Sequence, residues 1–431
     1  MHTVDLSLDH ISKIEGAASL EVRIRDAKVE HVHLKIMEYK RFYTRAIEGK
    51  PAVAVPQLLS RICGTCSNAH VMCAVEAAER ALGVKPSPKT MRLRHLTMYG
   101  LNIRDHALHL YLFAMPDMYG KDSFLDFDED DEEQHQHLHD AFDIKAAGNY
   151  LSTLVAGRSV HATYPTVGGF MKHPDEAGIG EAVKRLKEIR PAVLRMIDTF
   201  RKCDFSFDRQ TEFMALVPSD HFGFIDGEIV SSDGCRVGEQ DFRQHLEHVV
   251  LPYSMASAYT HEGKEFMVGA LARVNLAKDK LHPQTAESIG PALEAFPSTD
   301  IYHNNLAQAI EVLHCLDHAV EILEKEDLSS EPPVKPEMRA GVGIGVVEAP
   351  RGTLYHRIET DDKGMVTRGE VIVPTGQNQI NMERDIAGLV NGLLPDTDKE
   401  TIEFEIEKLI RAYDPCMSCA SHFLKVNWDE A

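Results

Sequence analysis

Two short stretches decide the reading: Arg61-Ile62-Cys63-Gly64-Thr65-Cys66-Ser67-Asn68-Ala69-His70 near the front of the chain, and Asp414-Pro415-Cys416-Met417-Ser418-Cys419-Ala420-Ser421-His422 near its end. Each holds a C-x2-C pair. The turn inside such a pair brings both sulfurs to one side, so two pairs supply four thiolates, enough for a soft metal. Four readings compete on spacing alone. A structural zinc site usually draws its pairs from nearby sequence, because the ion replaces the core of a small module; here most of the chain intervenes. A thioredoxin-type dithiol accounts for one pair only, and neither pair has a βαβ setting. Covalent haem needs His directly after the second Cys, where Ser67 and Ala420 stand. The fourth reading is a catalytic metal centre shared between the chain ends.

Working outward, the rest of the sequence bounds these choices. The chain has 431 residues, 43% hydrophobic and 26% charged, long enough to bury a sizeable core. Lys and Arg number 46 against 67 Asp and Glu, a formal charge of −21, which repels polyanions and argues against nucleic acid as a partner. No apolar run reaches the ~18 residues of a membrane span. Met1-His2-Thr3-Val4-Asp5 lacks the basic-then-apolar pattern of a signal peptide. Eight cysteines in so long a chain do not resemble a secreted disulfide scaffold, so a reducing, cytoplasmic location is expected.

Periodicity predicts a mainly α protein with peripheral β (α+β), one large domain over 1–431. Residues 1–40 read as a β hairpin region, because Ala18–Ile24 and Val29–Ile36 alternate apolar and polar residues around the turn Arg25-Asp26-Ala27-Lys28. Helices are expected over Ala69–Leu82, capped by Gly83, and over Lys89–Phe113, Ala177–Thr199 and Asn305–Leu323. Gly341–Val347 and Val371–Val373 read as strands. The Gly341-Val342-Gly343-Ile344-Gly345 run lacks the G-x-G-x-x-G spacing of a dinucleotide loop. Residues 122–140, rich in acids, Gln and His, are expected to be an insertion that buries no apolar surface, a solvated loop or helix, with His135, His137 and His139 as a solvated tract rather than metal ligands. Ser329–Pro336 reads as a rigid linker.

The two cysteine motifs resemble the signature motifs of the large, catalytic subunit of [NiFe] hydrogenases. Further blocks fit in the same order: Lys13-Ile14-Glu15-Gly16, Gly157–Gly169 with His161, Glu348-Ala349-Pro350-Arg351-Gly352 with His356, and Val373-Pro374-Thr375 with Asn378. Length and the missing signal look most like the cytoplasmic, cofactor-coupled, sulfhydrogenase-type branch. The fold implied is a central bundle of long helices.

The resemblance implies reversible heterolytic oxidation of H2 at a nickel–iron centre. Cys63 and Cys416 are implied as terminal thiolates on nickel, Cys66 and Cys419 as bridges to an iron that also carries cyanide and carbon monoxide. Glu15 matches the family's proton-relay glutamate, which suits a reaction that leaves a proton needing a nearby base. Arg351 is implied to face the open metal position, held by Asp105 and Asp414; an always-charged donor suits that task. Thr375 is implied to donate to a cyanide, Pro350 and Pro374 to wall the diatomic ligands, and His70 to hydrogen-bond near a bridging sulfur. His422 and the carbonyl of Val371 are implied ligands of a third metal, magnesium or iron. Where many relatives add a glutamate to that metal this chain has Thr44, leaving Glu38 and Glu48 as carboxylate candidates.

Partners follow. Cys73, Cys203, Cys235 and Cys315 have no spacing suited to an iron–sulfur cluster, and most read as small buried apolar residues. Electrons therefore need an iron–sulfur small subunit, with diaphorase-like subunits beyond it. The C-terminal tail Phe423–Ala431 is implied to be removed after His422 by a maturation endopeptidase. The rivals are a zinc-stabilised scaffold and a complex-I-like quinone-site subunit of the same ancestry, which lacks the four cysteines.

Overall fold

A computed structural model describes residues 3–39 and 42–421. The chain opens with an antiparallel sheet of β1 (Thr3–Leu8), β2 (Ala18–Arg25) and β3 (Lys28–Ile36). On β2, Ala18, Leu20, Val22 and Ile24 are buried while alternate residues face outward, as the period of two requires. Asp26 and Ala27 both adopt positive φ, the geometry of a tight hairpin turn.

Long helices form the centre. First in chain order stand α1 (Ser67–Leu82), α2 (Pro88–Leu108), α3 (Glu132–Ala156) and α4 (Glu176–Arg201). Their starts are written in the sequence. Ser87, Asp131 and Asp175 each accept a backbone N–H of the following first turn. The small sheet that follows has β4 (Glu212–Val217), β5 (Glu228–Ser231) and β6 (Arg236–Gly238) in antiparallel order. Next come the ribbon β7 (Leu246–Val250) and β8 (Ser257–His261), then β9 (Phe266–Met267), parallel to β4. After α5 (Ala270–Ala277), α6 (His303–Lys325) closes a four-helix ring in which α2, α3, α4 and α6 each pack on two of the others. The antiparallel sheet β10 (Gly341–Ala349), β11 (Gly352–Thr360) and β12 (Val366–Ile372) lies against α1. Then α7 (Pro374–Leu393), α8 (Lys399–Ala412) and one helical turn, Met417–Ala420, end the described chain.

Three expectations are corrected. The Lys89–Phe113 helix changes type: after Leu108 the chain widens into a π-helical turn, His109–Ala114, which turns His109 toward α6. Residues 122–140 are not simply a solvated addition. Phe124 and Phe127 are buried, and from Glu132 onward the segment is the start of α3, with His137 and Asp140 buried. Its two Phe rings, 4.9 Å apart, give it an apolar anchor that its acids conceal. The strands β4–β9 were not foreseen, because they are short and cut by Gly and Asp. The Gly341–Gly345 run is indeed strand: at Gly343 a Cβ would run into the Ala77 carbonyl of α1, so the glycines serve close helix–strand approach. Among the described residues no helix is long and apolar enough to cross a membrane.

Candidate metal centre

The front cysteines sit where the chain turns into a helix. After the 3-10 turn Ser60–Ile62, Cys63 is extended, and Cys66 is the N-cap of α1. A thiol at a helix N-terminus feels the positive end of the helix dipole. Hydrogen bonds with Cys416 and Cys419 also favour the Cys66 thiolate, but Cys63 and burial outweigh them and push this thiol up to about 11. Arg104 of α2 donates to the Thr65 carbonyl at 2.6 Å and pins the turn between them.

The rear pair is tied to the start of the chain. Glu15 bridges to Cys416 as an isolated parallel pair, and Met417 N–H donates to the Glu15 carbonyl at 2.9 Å. Gly16 makes that approach feasible: it has φ +83°, and a Cβ there would lie 2.9 Å from Met417 Cβ. Lys13, next door, pairs with Asp117, which Arg411 of α8 grips with two hydrogen bonds.

These supports bring the four sulfurs together in the buried interior, all within 4.8 Å of one another. Cys63 Sγ is 3.4 Å from Cys416 Sγ, Cys66 Sγ 3.0 Å from Cys419 Sγ, and Cys416 Sγ 3.1 Å from Cys419 Sγ. Thiols this close share protons unequally. Hydrogen bonds, that from Cys416 foremost, hold Cys63 well below the usual thiol range, while burial holds Cys416 and Cys419 well above it. Four soft donors facing one point have a common use, which is to take up soft metal ions as thiolates.

A cavity adjoins the sulfurs, lined by Cys66, His70, Ala349, Arg351, Leu354, Pro374, Thr375, Cys416 and Cys419. Arg351 sits in the two-residue turn joining β10 to β11. Its Nη1 lies 2.8 Å from Asp105 Oδ2 and its Nη2 2.8 Å from Asp414 Oδ1. Burial works against its charge, but Asp105 and then Asp414 outweigh that and hold the guanidinium firmly protonated. Its Nε makes no hydrogen bond among the described residues. Asp414 itself has φ +51°, a left-handed geometry that Asp tolerates better than most side chains.

Glu15 Oε2 is 3.0 Å from Cys416 Sγ and accepts from Ser418 N–H at 3.1 Å. Burial first, then Cys63, pushes its carboxyl up, against the hydrogen bonds that favour the charge. Thr375, in the first turn of α7, accepts the Cys416 N–H at 2.9 Å, leaving its own hydroxyl proton to give. His70 Nε2 approaches Cys419 Sγ at 3.6 Å, and its Nδ1 meets His356 Nε2 of β11 at 3.1 Å.

Not every expected residue belongs here. Pro374 lines the cavity; Pro350 does not, and its carbonyl is taken by Arg273 at 2.9 Å. His161 lies apart, bonded to Ser60 and Ser67. Asn378 is engaged with Val268 through both ends of its amide. Val371 is buried on β12 opposite His356, and Thr44 is buried in the short helix Tyr43–Ala46, which packs on β12. Glu38 accepts the Ala17 N–H and Glu48 pairs with Arg45, so neither carboxylate is gathered with other potential ligands among the described residues. His422 and the tail 423–431 lie outside the described residues.

Sequence reading missed the groups that hold the centre rigid. Gln308 of α6 donates to Asp414 Oδ2 at 2.9 Å and is itself fixed by His109 at 2.7 Å. Arg273 of α5 is fully buried. It forks onto Glu311, reaches Glu348 Oε2 at 2.7 Å and caps the carbonyls of Ala349 and Pro350, so it clamps the turn carrying Arg351. Burial alone would raise Glu311, yet Arg273 keeps it below the ordinary carboxylate range. A charged residue inside the apolar run Ala270–Ala277 was the available signal.

Known proteins resemble this chain in sequence and in fold. Residues 43–137 and 239–422 match the sequence profile of the family described as Nickel-dependent hydrogenase. The alpha chain of sulfhydrogenase 1 from Pyrococcus furiosus is 30% identical over 428 residues, covering 98% of both chains. The beta chain of the NAD-reducing hydrogenase HoxS from Cupriavidus necator is 29% identical over 472 residues, covering 97% of this chain and 95% of the relative. Among solved structures, an NAD+-reducing [NiFe]-hydrogenase in the H2-reduced state superimposes with TM-score 0.85 at 26% identity, over 98% of this chain and all of the other. Both cysteine pairs, the helical ring and the full-length matches lead to one conclusion: the chain belongs to the nickel-dependent hydrogenase family, among its large, catalytic subunits.

Proposed function

We propose that the four thiolates hold a nickel–iron pair, Cys63 and Cys416 as terminal ligands of nickel and Cys66 and Cys419 shared with iron. The residues fit such a group on two counts: four buried sulfurs converge, and the Nε of a buried, fixed guanidinium is left without a partner beside them. When bound, the pair supplies the heterolytic cleavage of H2. The protein's own task is then to move the proton. Cys416 Sγ is the first acceptor and Glu15 Oε2 the second, and their 3.0 Å contact is the observation that carries this reading. Asp105 and Asp414 hold Arg351 in place where it lines the cavity beside the sulfurs. The Thr375 hydroxyl, with the apolar wall of Ala349, Leu354 and Pro374, suits cyanide and carbon monoxide on the iron. His70, oriented by His356, tunes the Cys419 sulfur.

The same reading has magnesium near Val371 and His422, with no carboxylate from Thr44. It sends electrons first to an iron–sulfur small subunit, then to diaphorase-like subunits, in the cytoplasm, after an endopeptidase removes the tail. Support comes from relatives named as single subunits of larger hydrogenases, one of them NAD-reducing. The test is Glu15→Gln in the assembled enzyme: nickel and iron stay, and H2-dependent dye reduction is lost. Full activity in that variant would sink the proton route.

A further inference from the structure

We propose that Cys235, His245 and His261 form a second metal site, built for one zinc ion and separate from the four-thiol centre. Their ligand atoms lie within 4.8 Å of one another. Cys235 Sγ is 3.5 Å from His245 Nδ1. Two ligands of a tetrahedral zinc, with Zn–S about 2.3 Å and Zn–N about 2.0 Å, stand about 3.5 Å apart.

His261 supplies the independent observation. It is 4% exposed, and its Nδ1 meets Glu212 Oε2 of β4 at 2.8 Å. The Nδ1–H donates to that carboxylate, which fixes the tautomer and leaves the lone pair on Nε2. That Nε2 is buried and has no hydrogen-bond partner among the described residues. A carboxylate behind a histidine whose far nitrogen is free is the arrangement that orients metal-ligating imidazoles and raises their basicity. One thiolate with two imidazoles suits zinc, with a fourth position left for water.

The backbone holds the ligands in advance. Cys235 is locked in the β5–β6 turn, its carbonyl accepting Ser231 N–H at 3.0 Å and its N–H bonded to Ser231 Oγ at 3.3 Å. His261 is held across its turn by two bonds with Lys264, both 2.9 Å. Register pairs His261 with Leu246, the neighbour of His245. Three turns of a small β region thus meet at one point. These strands of two to six residues bury a small core of their own, including Met214, Leu216, Ile229, Phe242 and Phe266, and an ion would tie their ends together at its edge, where Cys235 packs against it. The other candidate cluster, Glu76 with Asp226 and Glu239, is occupied by Arg80, which pairs with Glu76 and Glu239.

The experiment is metal analysis of the assembled, nickel-loaded enzyme produced with zinc in the medium. Cys235→Ser and His261→Ala are expected to lose one zinc equivalent per chain relative to the wild type, with nickel unchanged. Glu212→Gln should keep the site but release zinc to a competing chelator about 10–100-fold more readily. Equal zinc in the wild type and both ligand variants overturns the proposal. If those variants fail to assemble, the wild type decides: after chelator treatment that leaves nickel in place, added Co2+ should give thiolate-to-cobalt charge-transfer absorption. Its absence overturns the site as well.

Discussion

Glu15 Oε2 stands 3.0 Å from Cys416 Sγ although 401 residues separate them in sequence. The contact rests on a backbone bridge and on Gly16, so the carboxylate is placed by the chain rather than by its own rotamer. Positioned bases contribute about 10²–10⁴-fold to proton transfer. Glu15→Gln should therefore lower H2-dependent dye reduction by about that factor, with metal content and thermal stability near wild type. Glu15→Asp, one methylene shorter, should fall between. Equal rates in all three proteins would remove Glu15 from the proton path.

Arg351 lies between two buried carboxylates, each 2.8 Å away. Removing one partner of a buried ion pair leaves uncompensated charge and costs about 3–5 kcal/mol. Arg351→Leu should show that loss in denaturant unfolding. Arg351→Lys keeps the charge without the fork that spans Asp105 and Asp414, so its stability should recover more than its activity. If Lys restores turnover fully, the planar fork has no role in the reaction.

Cysteine position should separate metal binding from packing. Cys73 is fully buried, with its sulfur against the carbonyls of Gly345 and Leu354 on the sheet beside α1. Cys416→Ser should lose nickel, while Cys73→Ala should keep it at a modest stability cost, about 1 kcal/mol for one lost weak hydrogen bond. Nickel bound equally by Cys416→Ser and the wild type would contradict the assignment.

How much of this was legible depended on the range of the signal. Four of the long helices were, because apolar period is local and Gly83 ends α1 in left-handed geometry. The helices α3, α7 and α8 were not read as such; the acids at the start of α3 hide its apolar face. The meeting of Cys63 with Cys416 was legible only because the two motifs resemble a known pair, since the residues alone excluded covalent haem but left three readings open. Arg273, Gln308 and His109 were not legible. Each acts through a partner far along the chain; only Arg273 carries a local mark, a charge inside the apolar run Ala270–Ala277, and that mark does not name its partners. The π turn at His109 escaped for a related reason: it continues the helical pattern while shifting one side chain, and only the packing of α6 shows why.

Glu383 makes stability depend on pH. On α7 it accepts Leu34 N–H at 2.9 Å and the Tyr253 hydroxyl, and burial, the largest cause, pushes its carboxyl up to about 7 from an ordinary 4.5. The folded protein thus holds a proton that the unfolded chain has released. Stability is favoured below about pH 4.5 and lost as pH rises toward 7, by about 3 kcal/mol in all. Glu383→Gln removes the titration, so its stability relative to wild type should rise across that window and stay level above it. Urea unfolding of both proteins at pH 5 and pH 7.5 measures this. A constant difference would place the carboxyl in its ordinary range.

The glycine-rich strand couples packing to metal retention. Gly341, Gly343 and Gly345 of β10 press against the backbone of α1, whose N-cap is Cys66. A methyl at Gly343 meets the Ala77 carbonyl and the Ala81 nitrogen, backbone atoms that cannot swing aside. Overpacking of this kind costs about 1–3 kcal/mol, and more where no rotamer relieves it. Gly343→Ala should lower the unfolding midpoint, and by tilting α1 it should weaken nickel retention along with stability. Added nicotinamide nucleotide should protect neither protein. Protection of the wild type, lost in the variant, would return this strand to a nucleotide-binding role and leave the close packing as its by-product.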